Sequence, residues 1–535
     1  MAKTLLRSAC LRTLNPSEPV TTAVLIEDGR FVAYARDVGA NAADEIVDLG
    51  DATVLPGFVD PHQHLEMTAM GQHLGVDCRP PVVGSVRQIK ERLRDAVART
   101  PAGEWILGQG TLFQDVQMEE KRYPSRDDMD EVSRAHPIAF RASLHVTILN
   151  SKALEVVGID RNTPDPPGGV IERDQHGEPT GFTRDVLALL GIPYPTRARR
   201  KSAIEQCVRE EFLANGVTTL GEISYTEEGL LALAEMNPPL RIGVYVHVPE
   251  TATFDAALTG VPNLFPAANP RFRGIKLFLD GGTNSLAAAY RRPYKIDPTT
   301  RGQLAYNIAE LKRMLVAATD AGIQVIMHAT GDRAEDTVIA ASGDLDPNRV
   351  RALRHRIEHG GNIECTPERR AQFALTGFTP VPNPGFIHLF GDAYEPYIGE
   401  ERTHHLYPLR SMIRDGLNPP AGGDCTGTDL RLCNPFFGMW CAVTRRTRAG
   451  MTLDENETID LDDALRMHTV WPAYALRMES EVGSIEPGKF ADLIVLDEDP
   501  FKLPADRLDK LRVRETWVAG KSVFKRNQQT LSTVS

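Results

Sequence analysis

Pro56-Gly57-Phe58-Val59-Asp60-Pro61-His62-Gln63-His64 is an apolar run that ends in two histidines two residues apart. Along a β-strand, side chains alternate between faces, so positions 62 and 64 point the same way. The spacing predicts a strand that aims two imidazoles into one space. Imidazole is the commonest protein ligand for a transition metal, so His62 and His64 read as half of a metal site. A His-x-His pair alone is a weak signal, and its meaning depends on matching donors at the ends of other strands.

Seven further segments read as strands: 216–222, 240–247, 272–280, 322–328, 353–359, 377–381 and 416–424. The last contains Pro419 and Pro420 and is the poorest of the set. Helical patterns such as 308–319 lie between several of them. Alternation of strand and helix at this count predicts an α/β chain folded as a (β/α)8 TIM-like barrel.

Functional groups of such a barrel gather at the C-terminal ends of its strands. His62 and His64 end the first predicted strand. Lys276 lies on the fourth, His328 ends the fifth, His359 the sixth and Asp424 the eighth. On the fourth, Ile275, Leu277 and Leu279 share one face, and Lys276, Phe278 and Asp280 share the face turned to the lumen. Gln324, Ile326 and His328 share a face of the fifth strand, and His355, Ile357 and His359 a face of the sixth. An ammonium held in such an interior is costly and tends to lose its charge, which leaves an amine free to react or be modified.

Each residue alone has an ordinary structural explanation. His328 or His359 reads as a buried histidine with a satisfied hydrogen bond, Lys276 as a lysine paired with Asp280, and Asp424 as a turn residue or helix N-cap. Six such residues at the ends of five strands make the joint reading, a metal centre, the stronger one.

The chain ends look alike. A turn at Glu27-Asp28-Gly29-Arg30 separates two apolar runs, and Ala519-Gly520-Lys521 forms a second hairpin turn near the C-terminus. This predicts one small β-domain built from residues 1–55 and 480–535, around a barrel domain at 56–479. Far more chain follows the first strand than one helix needs. Residues 70–200, with an amphipathic helix at 86–98 and a strand at 104–108, read as an insertion at the mouth of the barrel.

The 535 residues carry a hydrophobic fraction of 42% and a charged fraction of 25%, ordinary for a globular protein. A net charge of −12 disfavours a nucleic-acid partner. No run of about 18 apolar residues occurs, so no membrane span is expected. The start lacks the apolar core of a secretory signal. The seven cysteines form no Cys-x-x-Cys, which disfavours a disulfide framework and fits a cytoplasmic setting. The expected partner is a small-molecule substrate, and a homodimer is left open.

Several segments together resemble the amidohydrolase superfamily, in the YtcJ-like branch that includes N-substituted formamide deformylases. They are 56–64, Phe140-Arg-Ala-Ser-Leu-His with Asn150-Ser-Lys-Ala-Leu, Gly274-Ile-Lys-Leu-Phe-Leu-Asp-Gly-Gly, His328-Ala-Thr-Gly-Asp-Arg-Ala, Arg356-Ile-Glu-His and Gly483-Ser-Ile-Glu-Pro-Gly-Lys-Phe-Ala-Asp-Leu. The resemblance implies a metal-bearing (β/α)8 barrel, a β-sandwich formed by both chain ends, and an insertion after strand one. It implies that His62 and His64 bind the more buried ion, that His328 and His359 bind a second, that a carboxylated Lys276 bridges both, and that Asp424 completes the shell of the first ion. Two Zn²⁺ ions suit this nitrogen and oxygen set, with Mn²⁺, Fe²⁺ or Co²⁺ as alternatives. The branch usually shows Gly-Ser-Asp at strand eight; here it is Gly422-Gly423-Asp424 with an altered loop beyond, which bears on substrate more than on metal chemistry.

The implied reaction is hydrolysis of a carbon–nitrogen bond in a small amide or formamide by a metal-bound hydroxide. A divalent ion lowers the pKa of its water from about 15.7 to about 7 and polarises the carbonyl. Asp424 would take the proton and pass it to the departing nitrogen, and His145, from the insertion, would assist the oxyanion. Arg333 reads as support for a helix start, Glu358 as the partner of a neighbouring arginine, and Cys425 as a buried thiol. His388, His404 and His405 fall in the long connection after strand seven, where a lid could form. Competing readings are a metal-dependent hydrolase of an ester, carbamate or cyclic amidine, and a metal-holding regulatory protein without turnover.

Overall fold

The computed structural model describes residues 3–527 apart from 38–42, 144, 167–168, 187–189, 191, 193–194 and 267. Its centre is a parallel sheet of seven strands, curled as in a TIM barrel. The strands run in sequence order: Phe58–Gln63, Val217–Ser224, Arg241–Val248, Arg271–Phe278, Gln324–His328, Arg356–Glu358 and Thr379–Val381.

Strand alternation accounts for the layers. Ile275, Leu277 and Leu279 face outward and pack with Leu311 and Leu315 of the helix Ile308–Asp320. Each such fully buried leucine contributes about 1.5–3 kcal/mol relative to an exposed one. Val59, Ile223, Tyr245 and Ile326 face inward and meet Ala473 and Leu476, so the helix Val470–Ala475 closes the lower end of the barrel. Lys276 lies on the inward face, as its spacing predicts.

The eighth position differs from expectation. Residues 416–424 form no strand. Pro419 and Pro420 have no N–H to give to a ladder. The segment nevertheless fills the gap between the seventh and first strands. Gly422 N–H donates to Pro382 O at 3.0 Å, and Asp424 N–H donates to His62 O at 2.8 Å. Gly423 lies so close to the first strand that a Cβ there would collide with Gln63 Nε2 and Leu432 O.

The sixth strand also corrects the expected face. Ile357 packs outward among the helices. His355 bonds Thr319 Oγ1 at 2.9 Å and accepts from Val325 N–H at 2.9 Å. Arg356 and Glu358 therefore point into the barrel. His359 returns to the interior because its backbone turns left-handed, with φ 69°, so strand periodicity no longer applies to it.

Both chain ends join one eight-stranded sheet. Thr53–Pro56 pairs with Leu493–Leu496, which ties the N-terminal part to the C-terminal part. Each predicted hairpin turn has two residues with positive φ: Asp28 (53°) and Gly29 (75°), Ala519 (48°) and Gly520 (72°). Such turns match the twist of the strands they join. A second sheet of six strands lies between residues 76 and 184, within the expected insertion. The helix Arg197–Cys207 that follows it is pinned to the barrel by a fully buried Arg200–Glu66 ion pair. Among the described residues no helix is long and apolar enough to cross a membrane.

Two predictions follow from this packing. Gly423→Ala should destabilise the protein by about 1–3 kcal/mol through overpacking, seen as a lower thermal midpoint; an unchanged midpoint would show that the segment is not pressed against the first strand. Burial lowers the His355 pKa to about 4. A histidine kept neutral when folded contributes stability that is present above its unfolded pKa and is lost as pH falls toward the folded value. Wild-type protein should therefore lose more stability than His355→Gln between about pH 6.5 and pH 4; equal losses would contradict this role.

Candidate active site

The sequence-predicted residues converge at the C-terminal mouth of the barrel. Asp60 anchors the first strand end: it accepts from His62 N–H at 3.0 Å, from Gly423 N–H at 3.2 Å and from Gln63 Nε2 at 2.6 Å. These bonds lock the eighth segment beside the first strand and bring Asp424 to the histidines. Asp424 Oδ1 lies 3.4 Å from His62 Nε2 and 3.2 Å from His64 Nε2. One donor atom from each of His62, His64 and Asp424 falls within 4.8 Å of the others, close enough to share one metal ion. Asp424 takes up a left-handed backbone, φ 55°, to reach this place.

His328 and His359 form the neighbouring pair, with ring centroids 4.5 Å apart, and His359 lies 5.2 Å from His62. Lys276, on the inward face of the fourth strand, acts electrostatically on all four histidines. It is fully buried, its Nζ has no hydrogen-bond partner, and it stands 4.5 Å over the Phe278 ring. Asp280, the partner of the alternative salt-bridge explanation, is engaged elsewhere and accepts from the backbone N–H groups of Ala289, Thr330 and Gly331 at 2.8–3.0 Å.

Burial dominates the electrostatics. It pushes Lys276 down to about 8, against the pull of Glu358 and Asp424. It pushes His64 down to about 4, His359 to about 3 and His328 also downward. These rings are held neutral, the form that binds metal. At His62 burial and Lys276 oppose protonation, but Glu358 and Asp424 outweigh them and the pKa is raised. Burial would raise Asp424, yet His62 and His64 hold it well below the usual carboxylate range.

Residues not assigned from the sequence orient the rings. Glu358 receives His62 Nδ1 on one oxygen and Arg356 Nε, at 2.7 Å, on the other. Its pairing with a neighbouring arginine is as expected; its grip on His62 was missed. Period-two alternation along Arg356-Ile357-Glu358 carries that signal, because it points Arg356 and Glu358 into the lumen. Asn383 Oδ1 accepts from His359 Nδ1 at 2.8 Å. No local pattern marks Asn383.

His145 lies in the bend between the strands Ile138–Arg141 and Val146–Leu149 of the six-stranded sheet and sits 5.3 Å from the His328 ring. Its Nδ1 bonds Asp185 Oδ1 at 2.5 Å. Burial disfavours its charge, but Asp185 outweighs burial and the pKa is raised. Arg333 bonds Gly302 O at 2.8 Å, beside the start of its helix, and Cys425 is buried. His388 bonds Arg446 O at 3.0 Å, and His404 and His405 are exposed.

Donor atoms left without partners test whether this cluster fits a metal. His62 Nε2, which faces Asp424 across 3.4 Å, and Lys276 Nζ are buried without a hydrogen-bond partner, as is His64 Nδ1 on the other side of its ring from Asp424. Orphaned buried polar atoms are rare and call for a missing partner, and a cation fits the two imidazoles.

Comparison with known proteins places the chain in a family. The chain is 32% identical to the N-substituted formamide deformylase of Arthrobacter pascens, with 96% of each chain covered. It is 27% identical to YtcJ of Bacillus subtilis over 95% of this chain and 96% of the other. Among solved structures, an uncharacterized metal-dependent hydrolase from Pyrococcus horikoshii shares the fold, with a TM-score of 0.72 at 23% identity, covering 94% of this chain and 99% of the other. Residues 45–524 match the Amidohydrolase family, and the chain belongs to that family.

Proposed function

We propose that this protein is a metal-dependent hydrolase that cleaves the carbon–nitrogen bond of a small amide or formamide. The observation that carries this reading is Lys276: a fully buried amine without a hydrogen-bond partner, pushed toward neutrality, beside four imidazoles and Asp424. A neutral amine can add to carbon dioxide and release a proton to give a carbamate, whose single negative charge, shared over two oxygens, would make Lys276 a ligand for divalent ions. His62, His64 and Asp424 would hold one ion, and His328 and His359 the other. A bound divalent ion supplies acidified water and a polarised carbonyl oxygen. The family and the deformylase relative support hydrolysis.

The chain's own groups would manage protons and orientation. Asp424, ionised and facing His62 and His64, would accept the proton of the attacking water and return it to the leaving nitrogen, since an amine departs badly as an anion. His145, held by Asp185 through Nδ1, would offer Nε2 to the developing oxyanion. Glu358 and Asn383 would fix His62 and His359 with one nitrogen of each ring turned inward.

Elemental analysis should find a divalent metal in the purified protein. A panel of formamides, N-acyl amines and esters, assayed with bicarbonate, should show turnover that chelation abolishes. Asp424→Asn should lower kcat by about 10²–10⁴-fold; full activity in metal-free protein, or in this variant, would overturn the mechanism. Glu358→Gln should weaken metal affinity or activity by about 10–100-fold, and unchanged values in both would remove Glu358 from the site.

A further inference from the structure

A cavity of about 280 Å³ opens beside the histidine cluster. Its inner wall is His145, Phe278 and Asp280, the side chains packed around His328. Its farther wall is aromatic and acidic. Tyr225 stacks on His247 at 4.7 Å, and His247 meets the edge of Phe278 at 4.6 Å. Glu250 and Glu310 complete it, and among the described residues no lysine or arginine lines the cavity.

Two of the cavity's carboxylates, Glu250 and Glu310, are partly open to solvent and within reach of a visiting charge. Asp185 is matched by His145 and Asp280 by three backbone N–H groups. Glu310 has no ion-pair partner among the described residues, and Glu250 has only His247, at 2.9 Å. His247 is 2% exposed, and its Nδ1 has no hydrogen-bond partner. Aromatic faces attract cations.

We propose that this cavity receives a protonated amine carried by the substrate, with Glu250 and Glu310 as the residues that select its charge and the rings of Tyr225, His247 and Phe278 as its aromatic wall. The inference rests on the hydrolase reading of the adjoining centre, and it narrows the substrate to a small amide with a cationic substituent.

Binding without turnover tests it. The metal-loaded Asp424→Asn full-length protein would be titrated calorimetrically with N-(aminoalkyl)formamides of increasing chain length and with neutral N-alkylformamides of matching length. At least one amine should bind about tenfold or more tightly than its neutral counterpart. Added salt should weaken that preference. Glu310→Gln, a change at a half-exposed helix start that folding should tolerate, should reduce the preference at least about threefold, and Glu250→Gln with Glu310→Gln should abolish it. No preference at any length would overturn the proposal. So would a preference that survives both substitutions, the result expected if the amine merely coordinates metal. A preference for the charged probes in a protein that cleaves no formamide would leave this cavity assignment standing and remove the amide reading.

Discussion

An unpaired amine in a protein interior is the constraint around which the mouth of this barrel is arranged. Lys276 is fully buried and Nζ has no hydrogen-bond partner. A charged ammonium there would forgo its hydration with little in return, so the amine drifts toward the neutral form. The surroundings keep that balance shallow. Glu358 and Asp424 favour the charge, while burial and Arg356 oppose it. A group poised in this way is able to take on a new covalent or coordinative partner. The three imidazoles pushed down by burial share its state: neutral, with nitrogen lone pairs ready for a cation.

Rigidity comes from hydrogen bonds behind the rings. The Arg356–Glu358–His62 chain is fully buried and fixes the first histidine. Asp60 staples the irregular eighth segment to the first strand. Such buried networks are strong when every member is satisfied and costly when one is lost, so orientation at this mouth depends on residues that need touch neither metal nor substrate.

Much of this was legible in the sequence. The inward placement of Lys276 and the outward placement of Ile275, Leu277 and Leu279 follow from period-two alternation, and the two hairpin turns follow from Asp-Gly and Ala-Gly at their tips. The failures have separate physical causes. His359 and Asp424 reach the site through left-handed backbone, φ 69° and 55°, where alternation no longer says which way a side chain points. His355 and Ile357 were thus assigned to the wrong face by counting back from His359. The proline-interrupted eighth segment supplies single hydrogen bonds in place of a ladder. The six-stranded sheet was largely hidden because several of its strands are only two to four residues long, too short to show a period.

The most direct test is a crystal structure of the purified protein with anomalous diffraction recorded at the absorption edge of its metal. The predicted result is a peak enclosed by His62, His64 and Asp424, a second beside His328 and His359, and density for a carboxylate extending from Lys276 Nζ between them. A mouth without any anomalous peak, or Lys276 ending as a bare ammonium turned from the histidines, would contradict it.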